Sequence, residues 1–158
     1  MEKITSFTID HIKLLPGLYV SRKDKIGSET ITTFDLRTRR PNCGDLMCHG
    51  TMHTFEHLFA TYIRNSSLSA DILYFGPMGC QTGFYLLVRN ADNGIVLSAV
   101  MDTLKKIVWH SGEMFGASRK ECGNYKELDL AAAKAEAVRY LSVLTDAKND
   151  FVYPKGDE

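Results

Sequence analysis

Two histidines and a glutamate lie within five consecutive residues, at a spacing typical of metal ligands. His53 and His57 are four residues apart, and Glu56 directly precedes His57. On an α-helix, residues i and i+4 lie on the same face in neighbouring turns, so both imidazoles can bind one divalent cation. A carboxylate beside such a pair is typical of catalytic metal sites, where it acts as a general base. The motif alone is short enough to occur by chance, and a histidine pair on a helix is more often structural or incidental than a metal site. Glu56 is then either a solvated helix carboxylate or a general base. A catalytic metal site requires a third ligand from elsewhere in the chain.

Cysteines are the candidates for that third ligand. Cys122 lies in a polar, glycine-flanked loop, where a thiol is poorly explained as core filler. Cys80 lies in a glycine-rich turn, where it is either a ligand, a buried small residue or an acid–base thiol. Cys43 and Cys48, followed by His49, could form a small metal group but lack a second recognisable pair, so we interpret them as loop residues. Two histidines and one cysteine leave a coordination position open, which suits catalysis.

A helix over about residues 51–64 must hold the histidine pair. Its apolar residues recur with a helical period, whereas His53, Glu56 and His57 occupy a different stripe. Thr51 is the expected N-cap, and Asn65 with two following serines is expected to end the helix. The apolar stripe would fix this helix to the core and hold the polar stripe rigidly outward.

The remaining pattern predicts an α+β fold, a single domain over 1–158 with a mainly antiparallel sheet and helices packed on one face. Strands are expected over 18–22, 31–37, 71–75 and 84–89, with an extended segment over 4–11 and helices over 95–109 and 129–146. Asp129 is the expected N-cap of the last helix. Residues 23–28, 38–50 and 110–127 are expected to be turns or loops, and 76–83 a tight turn joining two strands.

Composition excludes several partners. The chain has 158 residues, with 19 basic and 19 acidic side chains that leave no formal net charge. We therefore expect no nucleic-acid partner, and no contact with an anionic membrane surface. The sequence shows no apolar run that could cross a bilayer and no signal-peptide pattern, which predicts a cytoplasmic protein. In that reducing compartment its four cysteines are expected to be thiols or ligands rather than disulfides.

Five blocks taken together closely resemble the S-ribosylhomocysteine lyase (LuxS) family. The resemblance covers nearly the whole chain, and the blocks occur in the family's order and at similar spacing. They are Ser6-Phe7-Thr8-Ile9-Asp10-His11, Phe34-Asp35-Leu36-Arg37 followed by Pro41-Asn42, His53-Thr54-Phe55-Glu56-His57, Pro77-Met78-Gly79-Cys80-Gln81-Thr82-Gly83, and Cys122-Gly123.

This resemblance implies a metal site and two proton-transfer groups. The metal would be Fe2+, replaceable by Zn2+ or Co2+, held by His53, His57 and Cys122 with a water in the fourth place. The substrate would be S-ribosyl-L-homocysteine, and the products L-homocysteine and 4,5-dihydroxy-2,3-pentanedione, the precursor of autoinducer-2. Cleavage requires the sugar carbonyl to migrate from C1 to C3, so that the C4 proton becomes acidic enough for β-elimination. Glu56 and Cys80 would move the protons.

The resemblance also implies substrate contacts and a dimer. Ser6, His11 and Arg37 match positions that contact the substrate or order the site, and Arg64 is expected to reach the homocysteine end. Tyr74-Phe75-Gly76 stands where many members carry an acidic residue and a serine, which leaves the contacts to that end open. The family is a homodimer with two equivalent active sites at the subunit interface, so the polar stripe of the metal helix is expected to face the partner.

Two alternatives compete with this interpretation. An inverzincin-like zinc metallopeptidase or hydrolase would use the same His-x-x-Glu-His order, with Glu56 activating water. It would usually have a carboxylate as third ligand, and it gives Cys80 no role. A non-catalytic metal-binding module would instead have a closed coordination shell, with Cys80 as a candidate fourth ligand.

Overall fold

A four-stranded sheet forms one layer of the computed structural model, which describes residues 1–155. Its strands are β1 (Gly17–Ile26), β2 (Glu29–Arg37), β3 (Ile72–Pro77) and β4 (Gly83–Arg89), in the order β1-β2-β4-β3. Each neighbouring pair is antiparallel, as the sequence predicted. Gly27, with φ of 62°, turns the chain between β1 and β2, a conformation that glycine adopts without steric cost.

Three helices form the second layer on one face of this sheet. They are α1 (His49–Ile63), α2 (Asn93–Val108) and α3 (Leu130–Asp146), and all three pack against one another. Asp129 caps α3 as predicted, because its carboxylate accepts a hydrogen bond from the backbone N–H of Ala132 at 3.0 Å. The α+β class with helices on one face is confirmed. Within residues 1–155, none of the helices combines the length and apolar character needed to cross a membrane.

An aromatic cluster fixes α1 to the sheet. Phe55 of α1 stacks on Phe84 of β4 with ring centroids 4.9 Å apart, and Phe59 stacks on Phe75 of β3 at 4.2 Å. Phe75 and Phe84 also stack on each other at 5.1 Å. All four rings are buried, and each aromatic side chain removes a large apolar area from water. The face of α1 that carries the histidines therefore has a fixed orientation relative to the sheet.

The opposite face of the sheet carries a buried ion pair. Asp35 and Arg37 alternate with the core residues of β2 and share this face, because successive side chains of a strand point to opposite faces. Arg37 Nη2 donates to Asp35 Oδ2 at 2.6 Å, and both side chains are almost fully buried. The C-terminal segment covers the pair, since Tyr153 stacks on Tyr19 and donates its hydroxyl to Asp35 Oδ2 at 2.8 Å.

Three local predictions are wrong. Residues 4–11 are not extended, since they contain a 3-10 turn, Thr5–Phe7, and then a bend in which Asp10 accepts the backbone N–H of Ile12. Polar side chains that bond to nearby backbone compete with strand formation. Residues 23–26 are not a turn, because β1 continues to Ile26 and pairs with β2 up to Glu29. Thr51 is not the N-cap of α1, since the helix begins at His49 with Cys48 as the cap residue.

Candidate active site

The structure brings the three predicted metal ligands together. One ligand atom each from His53, His57 and Cys122 lie within 4.8 Å of one another. The Sγ atom of Cys122 lies 3.4 Å from Nε2 of His53. Ligands around one tetrahedral ion lie roughly 3.5 Å apart, given metal–ligand bonds of about 2.0–2.3 Å. The geometry therefore suits a single divalent cation held by two nitrogens and a sulfur.

Each imidazole is held through its other ring nitrogen. His57 Nδ1 lies 2.9 Å from the backbone carbonyl of Phe115, which can only accept, so this nitrogen carries the proton. His53 Nδ1 lies 2.6 Å from Oε1 of Glu127 and donates to that carboxylate. Both Nε2 atoms are then left with a free lone pair for a metal, the usual arrangement of a histidine ligand. Two imidazoles and a thiolate are a donor set that suits Fe2+, Zn2+ or Co2+.

A turn in the loop between α2 and α3 places Cys122 against α1. The backbone N–H of Cys122 donates to the carbonyl of Ser118 at 3.0 Å, and the Ser118 hydroxyl donates to Glu121 at 2.5 Å. The backbone N–H of Asn124 lies 3.4 Å from Sγ of Cys122, so it donates to the sulfur. These bonds hold the Cys122 sulfur beside His53, where it can bind a metal.

Glu56 lies in the same cavity as the metal ligands. This cavity has a volume of about 360 Å³, and its walls include His53, Glu56 and Cys122 as well as Pro77 from the end of β3. Glu56 lies one position before His57 on the polar stripe of α1, as predicted. A carboxylate at this position can take a proton from a molecule bound at the open side of the metal group.

Cys80 belongs to a second group, built at the turn between β3 and β4. Its Sγ lies 3.1 Å from the hydroxyl of Thr82 and 3.8 Å from Nη1 of Arg37. Partial burial raises the pKa of the Cys80 thiol, but hydrogen bonding with Thr82 and the positive charge of Arg37 outweigh it and lower the pKa. A lowered pKa increases the fraction of thiolate, which is the form that can accept a proton. His11 and Cys80 line one cavity of about 270 Å³.

The other predicted substrate contacts are spread over the chain. Ser6 lines a cavity of about 390 Å³ on the face of the sheet opposite the helices, together with Ser21 and Tyr85. Arg64 donates to the backbone carbonyls of Ile72 at 3.3 Å and Leu73 at 3.1 Å. Neither side chain lines the metal cavity or the Cys80 cavity. The substrate roles of Ser6, His11, Arg37 and Arg64 remain predictions.

Sequence reasoning missed two residues that lie beside the three candidate ligands. His49 is not a loop residue, because it opens α1 and its Nδ1 lies 2.8 Å from Oε2 of Glu127. Hydrogen bonds from His49 and from His53 keep the pKa of Glu127 below its ordinary value. The signal for His49 was its position four residues before His53, which places it on the same helical stripe. Glu127 lies five residues after Cys122, a separation that carries no recognisable pattern.

The ligand set argues against both alternatives. The third side chain of the group is Cys122, whereas the metallopeptidase interpretation expects a carboxylate there. Cys80 is not in the metal group among the described residues, so it does not close a fourth coordination position within this chain. An open site beside a carboxylate is the arrangement expected of a catalyst.

Comparisons with known proteins identify relatives of this chain. The family model described as S-Ribosylhomocysteinase (LuxS) matches residues 4–150. An S-ribosylhomocysteine lyase of Finegoldia magna is 45% identical over 157 residues, which cover 98% of this chain and 100% of that protein. A protein of the same name from Phocaeicola vulgatus is 46% identical over 158 residues, covering 98% of each chain. A third, from Borreliella afzelii, is 47% identical over 152 residues, covering 95% of this chain and 97% of that protein.

The chain belongs to the S-ribosylhomocysteinase (LuxS) family. The resemblance drawn from five sequence blocks is thereby confirmed, and with it the prediction of an enzyme of the lyase class. The matched LuxS region contains His53, His57 and Cys122 as well as Glu56 and Cys80. The region that matches the family model therefore includes both the candidate metal ligands and the Cys80 group.

Proposed function

We propose that this chain cleaves the thioether of S-ribosyl-L-homocysteine and releases L-homocysteine and 4,5-dihydroxy-2,3-pentanedione, the precursor of autoinducer-2. The observation that carries the proposal is the convergence of His53, His57 and Cys122 beside Glu56, in a chain of the LuxS family. Several relatives at 45–47% identity are named S-ribosylhomocysteine lyase, which supports the same substrate here.

The metal group is proposed to hold Fe2+, with Zn2+ or Co2+ as substitutes. Its nitrogen and sulfur donors suit these ions, and the second ring nitrogens of His53 and His57 are already bonded to acceptors. A bound cation would supply Lewis acidity toward the carbonyl and hydroxyl oxygens of the sugar. The three ligands fix its place beside Glu56, so the sugar would be presented to that carboxylate.

The reaction is a series of proton transfers followed by one bond cleavage. The C2 proton moves to C1 and the C3 proton to C2 as the carbonyl moves from C1 to C2 and then to C3. Removal of the C4 proton then forms a C4–C5 double bond while the C5–S bond breaks. The sulfur leaves with the bonding electron pair, takes up a proton and departs as homocysteine, and the remaining enol becomes the diketone.

Glu56 and Cys80 are proposed to carry these protons. Glu56 lines the metal cavity, and Cys80 has a thiol whose pKa is lowered by Thr82 and Arg37 against the effect of partial burial. One positioned acid–base group contributes about 10²–10⁴-fold to a rate, so loss of either should reduce turnover by at least that factor. His11 and Arg37 lie beside Cys80 and are proposed to contact the substrate, together with Ser6 and Arg64.

We infer further that the enzyme is a homodimer with its active sites at the interface. Within one chain, Glu56 and Cys80 line two separate cavities, although both must act on one sugar. A second copy of the chain could place its Cys80 group over the metal group of the first. The active sites would then be composite, each with metal ligands from one subunit and a thiol from the other. Such sharing is compatible with two-fold symmetry, which creates two equivalent sites.

A homocysteine-release assay on S-ribosylhomocysteine, combined with metal analysis, tests the function. Cys80→Ala and Glu56→Gln should each keep the metal and lose turnover, whereas His57→Ala should lose both. Tyr125→Phe, on the loop that carries Cys122, is a control expected to retain both properties. Loss of the metal from the Cys80 variant would make that residue a ligand, and near-normal turnover of the Glu56 variant would remove it from the mechanism.

Mixing the two inactive variants tests the composite site. If each site combines Glu56 from one subunit with Cys80 from the other, a mixed dimer of Glu56→Gln and Cys80→Ala subunits has one intact site. Random exchange of subunits should then restore about a quarter of the wild-type activity, because half of the dimers are mixed and half of their sites are intact. No recovery on proven subunit exchange would place both residues of a site in one chain.

The reaction requires Cys80 and Cys122 to remain thiols, and this requirement supports a cytoplasmic location. All four cysteines are free in the structure. A reducing compartment keeps such thiols from forming disulfides. We propose that residues 1–158 act as one domain there, with a small-molecule substrate and without a nucleic-acid or membrane partner.

A further inference from the structure

The carboxylate of Glu127 joins two imidazoles that face the metal cavity. Its Oε1 accepts from His53 at 2.6 Å, and its Oε2 accepts from His49 at 2.8 Å. His49, His53 and Glu127 all line the cavity that contains Glu56 and Cys122. Both oxygens of one side chain are therefore engaged at the edge of the site, one with a metal ligand and one with a residue outside the ligand set.

Glu127 lies on a short, unburied 3-10 turn, which contacts with α1 hold in place. It ends the 3-10 turn Tyr125–Glu127, which directly precedes α3, and this turn has no buried residue. Its position is further fixed by Gly50, since a Cβ atom at residue 50 would lie 2.6 Å from the carbonyl oxygen of Glu127. The next residues are tied to α1 as well, because the backbone N–H of Asp129 donates to the hydroxyl of Thr54 at 2.7 Å. The first turns of α1 thus hold the Glu127 segment in place.

We propose that Glu127 is a positioning residue for the metal group and that His49 acts on the metal only through it. This inference rests on the proposed function, because it takes His53 as a metal ligand. Glu127 fixes the ring orientation of His53 and keeps its proton on Nδ1, which directs the Nε2 lone pair toward the cation. His49 binds the second oxygen and restricts rotation of the carboxylate.

Metal affinity is the quantity that this arrangement controls. Loss of a hydrogen-bond partner behind a metal-bound histidine typically weakens metal binding 10- to 100-fold. We therefore expect Glu127→Ala to raise the dissociation constant for Zn2+ or Co2+ by about 10- to 100-fold. Glu127→Gln keeps an oxygen acceptor without its charge and should lie between the alanine variant and the wild type. Glu113→Ala is the control, because Glu113 is an exposed glutamate of the same loop.

His49→Ala should have a smaller effect, in the range of about two- to tenfold that corresponds to one hydrogen bond. If His49 acts only through Glu127, the double variant His49→Ala/Glu127→Ala should bind metal no more weakly than Glu127→Ala alone. Non-additivity of this kind is what a double-mutant cycle reports for two residues acting as one unit.

The experiment measures metal dissociation constants by competition with a chromophoric chelator, in the absence of substrate. The visible absorption of bound Co2+ provides a second readout, since a reoriented His53 changes the ligand geometry and hence the spectrum. Thermal unfolding of the metal-free variants shows whether each is folded. If Glu127→Ala is unfolded, Glu127→Gln takes its place in the comparison.

The proposal is supported if Glu127→Ala weakens binding at least tenfold, Glu113→Ala does not, and the effect of His49→Ala disappears in the Glu127→Ala background. It is overturned if folded Glu127→Ala binds metal within twofold of the wild type, or if His49→Ala still weakens binding when Glu127 is absent. A wild-type chain that binds no metal also overturns it. A wild-type chain that binds metal without releasing homocysteine contradicts the proposed function, and the comparison of affinities still decides the role of Glu127.

Discussion

Gly116 lies so close to the imidazole of His57 that a Cβ atom at residue 116 would be 3.0 Å from Nδ1 and 3.1 Å from Cε1. The residue also has φ of 65°, in the left-handed region that disfavours other side chains. The neighbouring carbonyl, that of Phe115, accepts the hydrogen bond from His57 Nδ1. The absence of a side chain at 116 is therefore part of how the loop holds this proposed metal ligand.

Gly116→Ala should weaken metal binding, because the added methyl group must push His57 or the Phe115 carbonyl out of place. Disturbing such a contact behind a ligand is expected to raise the metal dissociation constant by about 10- to 100-fold. Gly112→Ala is the matched control: it has φ of 98° in the same loop, but a Cβ atom there meets nothing within 4 Å. Both variants place a Cβ atom on a residue with positive φ and so carry the same kind of backbone strain. Equal affinities of the two variants for metal would therefore contradict a specific role of Gly116.

Thr82→Val should make Cys80 less acidic. Hydrogen bonding with Thr82 is the largest of the effects that lower the pKa of Cys80, and valine keeps the shape of threonine without its hydroxyl. The thiolate is the reactive form of a cysteine, so removing a group that stabilises the thiolate shifts the pH dependence of its reaction to higher pH. We expect the pH at which iodoacetamide alkylates Cys80 at half its maximal rate to be higher in the variant than in the wild type. Peptide mass spectrometry measures the extent of alkylation.

Thr33→Val provides the control for that experiment. Thr33 lies on the same strand as Arg37 and is buried, and its hydroxyl has no hydrogen-bond partner within the described part of the chain. Its replacement should leave the Cys80 midpoint unchanged. A Thr82→Val midpoint equal to that of the wild type would mean that Arg37 and the backbone of residue 82, and not the Thr82 hydroxyl, lower the pKa of this thiol.

Local patterns predicted the elements that carry the chemistry. The period of apolar residues placed His53, Glu56 and His57 on one polar stripe of a helix, and the stacked Phe55 and Phe84 show why that stripe faces outward. Alternation along β2 is equally local, and it puts Asp35 and Arg37 on a common face. These features depend on residues close in sequence, which is why periodicity suffices.

Contacts between distant segments could not be predicted in this way. Glu127 accepts a hydrogen bond from His53, which is 74 residues away in sequence. The carbonyl of Phe115 accepts one from His57, which is 58 residues away. Such partners are defined by the path of a loop, which no short pattern encodes. The start of α1 was also misplaced: the helix begins at His49, whose imidazole contacts Glu127 outside the helix.

Asp35→Ala should destabilise the fold strongly. It would leave Arg37 buried without its carboxylate partner, and breaking a buried ion pair on one side typically costs about 3–5 kcal/mol. Asp102→Ala is the control, because Asp102 forms an exposed pair with Lys105 at 3.0 Å on α2, and such surface pairs contribute about 0–1 kcal/mol. Urea unfolding of both variants measures the difference in free energy, and a similar small loss in each would show that Arg37 finds another partner or water.

Phe55→Ala should lower thermal stability and weaken metal binding together. Phe55 is fully buried between α1 and the sheet, and removal of a buried phenylalanine ring typically costs about 3–5 kcal/mol. A chain of this length loses roughly 2–4 °C in Tm per kcal/mol, so we expect a decrease of about 6–20 °C. Metal binding should suffer as well, because the ring holds the helix turn between His53 and His57. Phe7→Ala, at a residue 70% exposed, is the control and should leave both properties unchanged. If Phe55→Ala lowers Tm but binds metal as tightly as the wild type, the histidines are held by their loop partners rather than by the aromatic cluster.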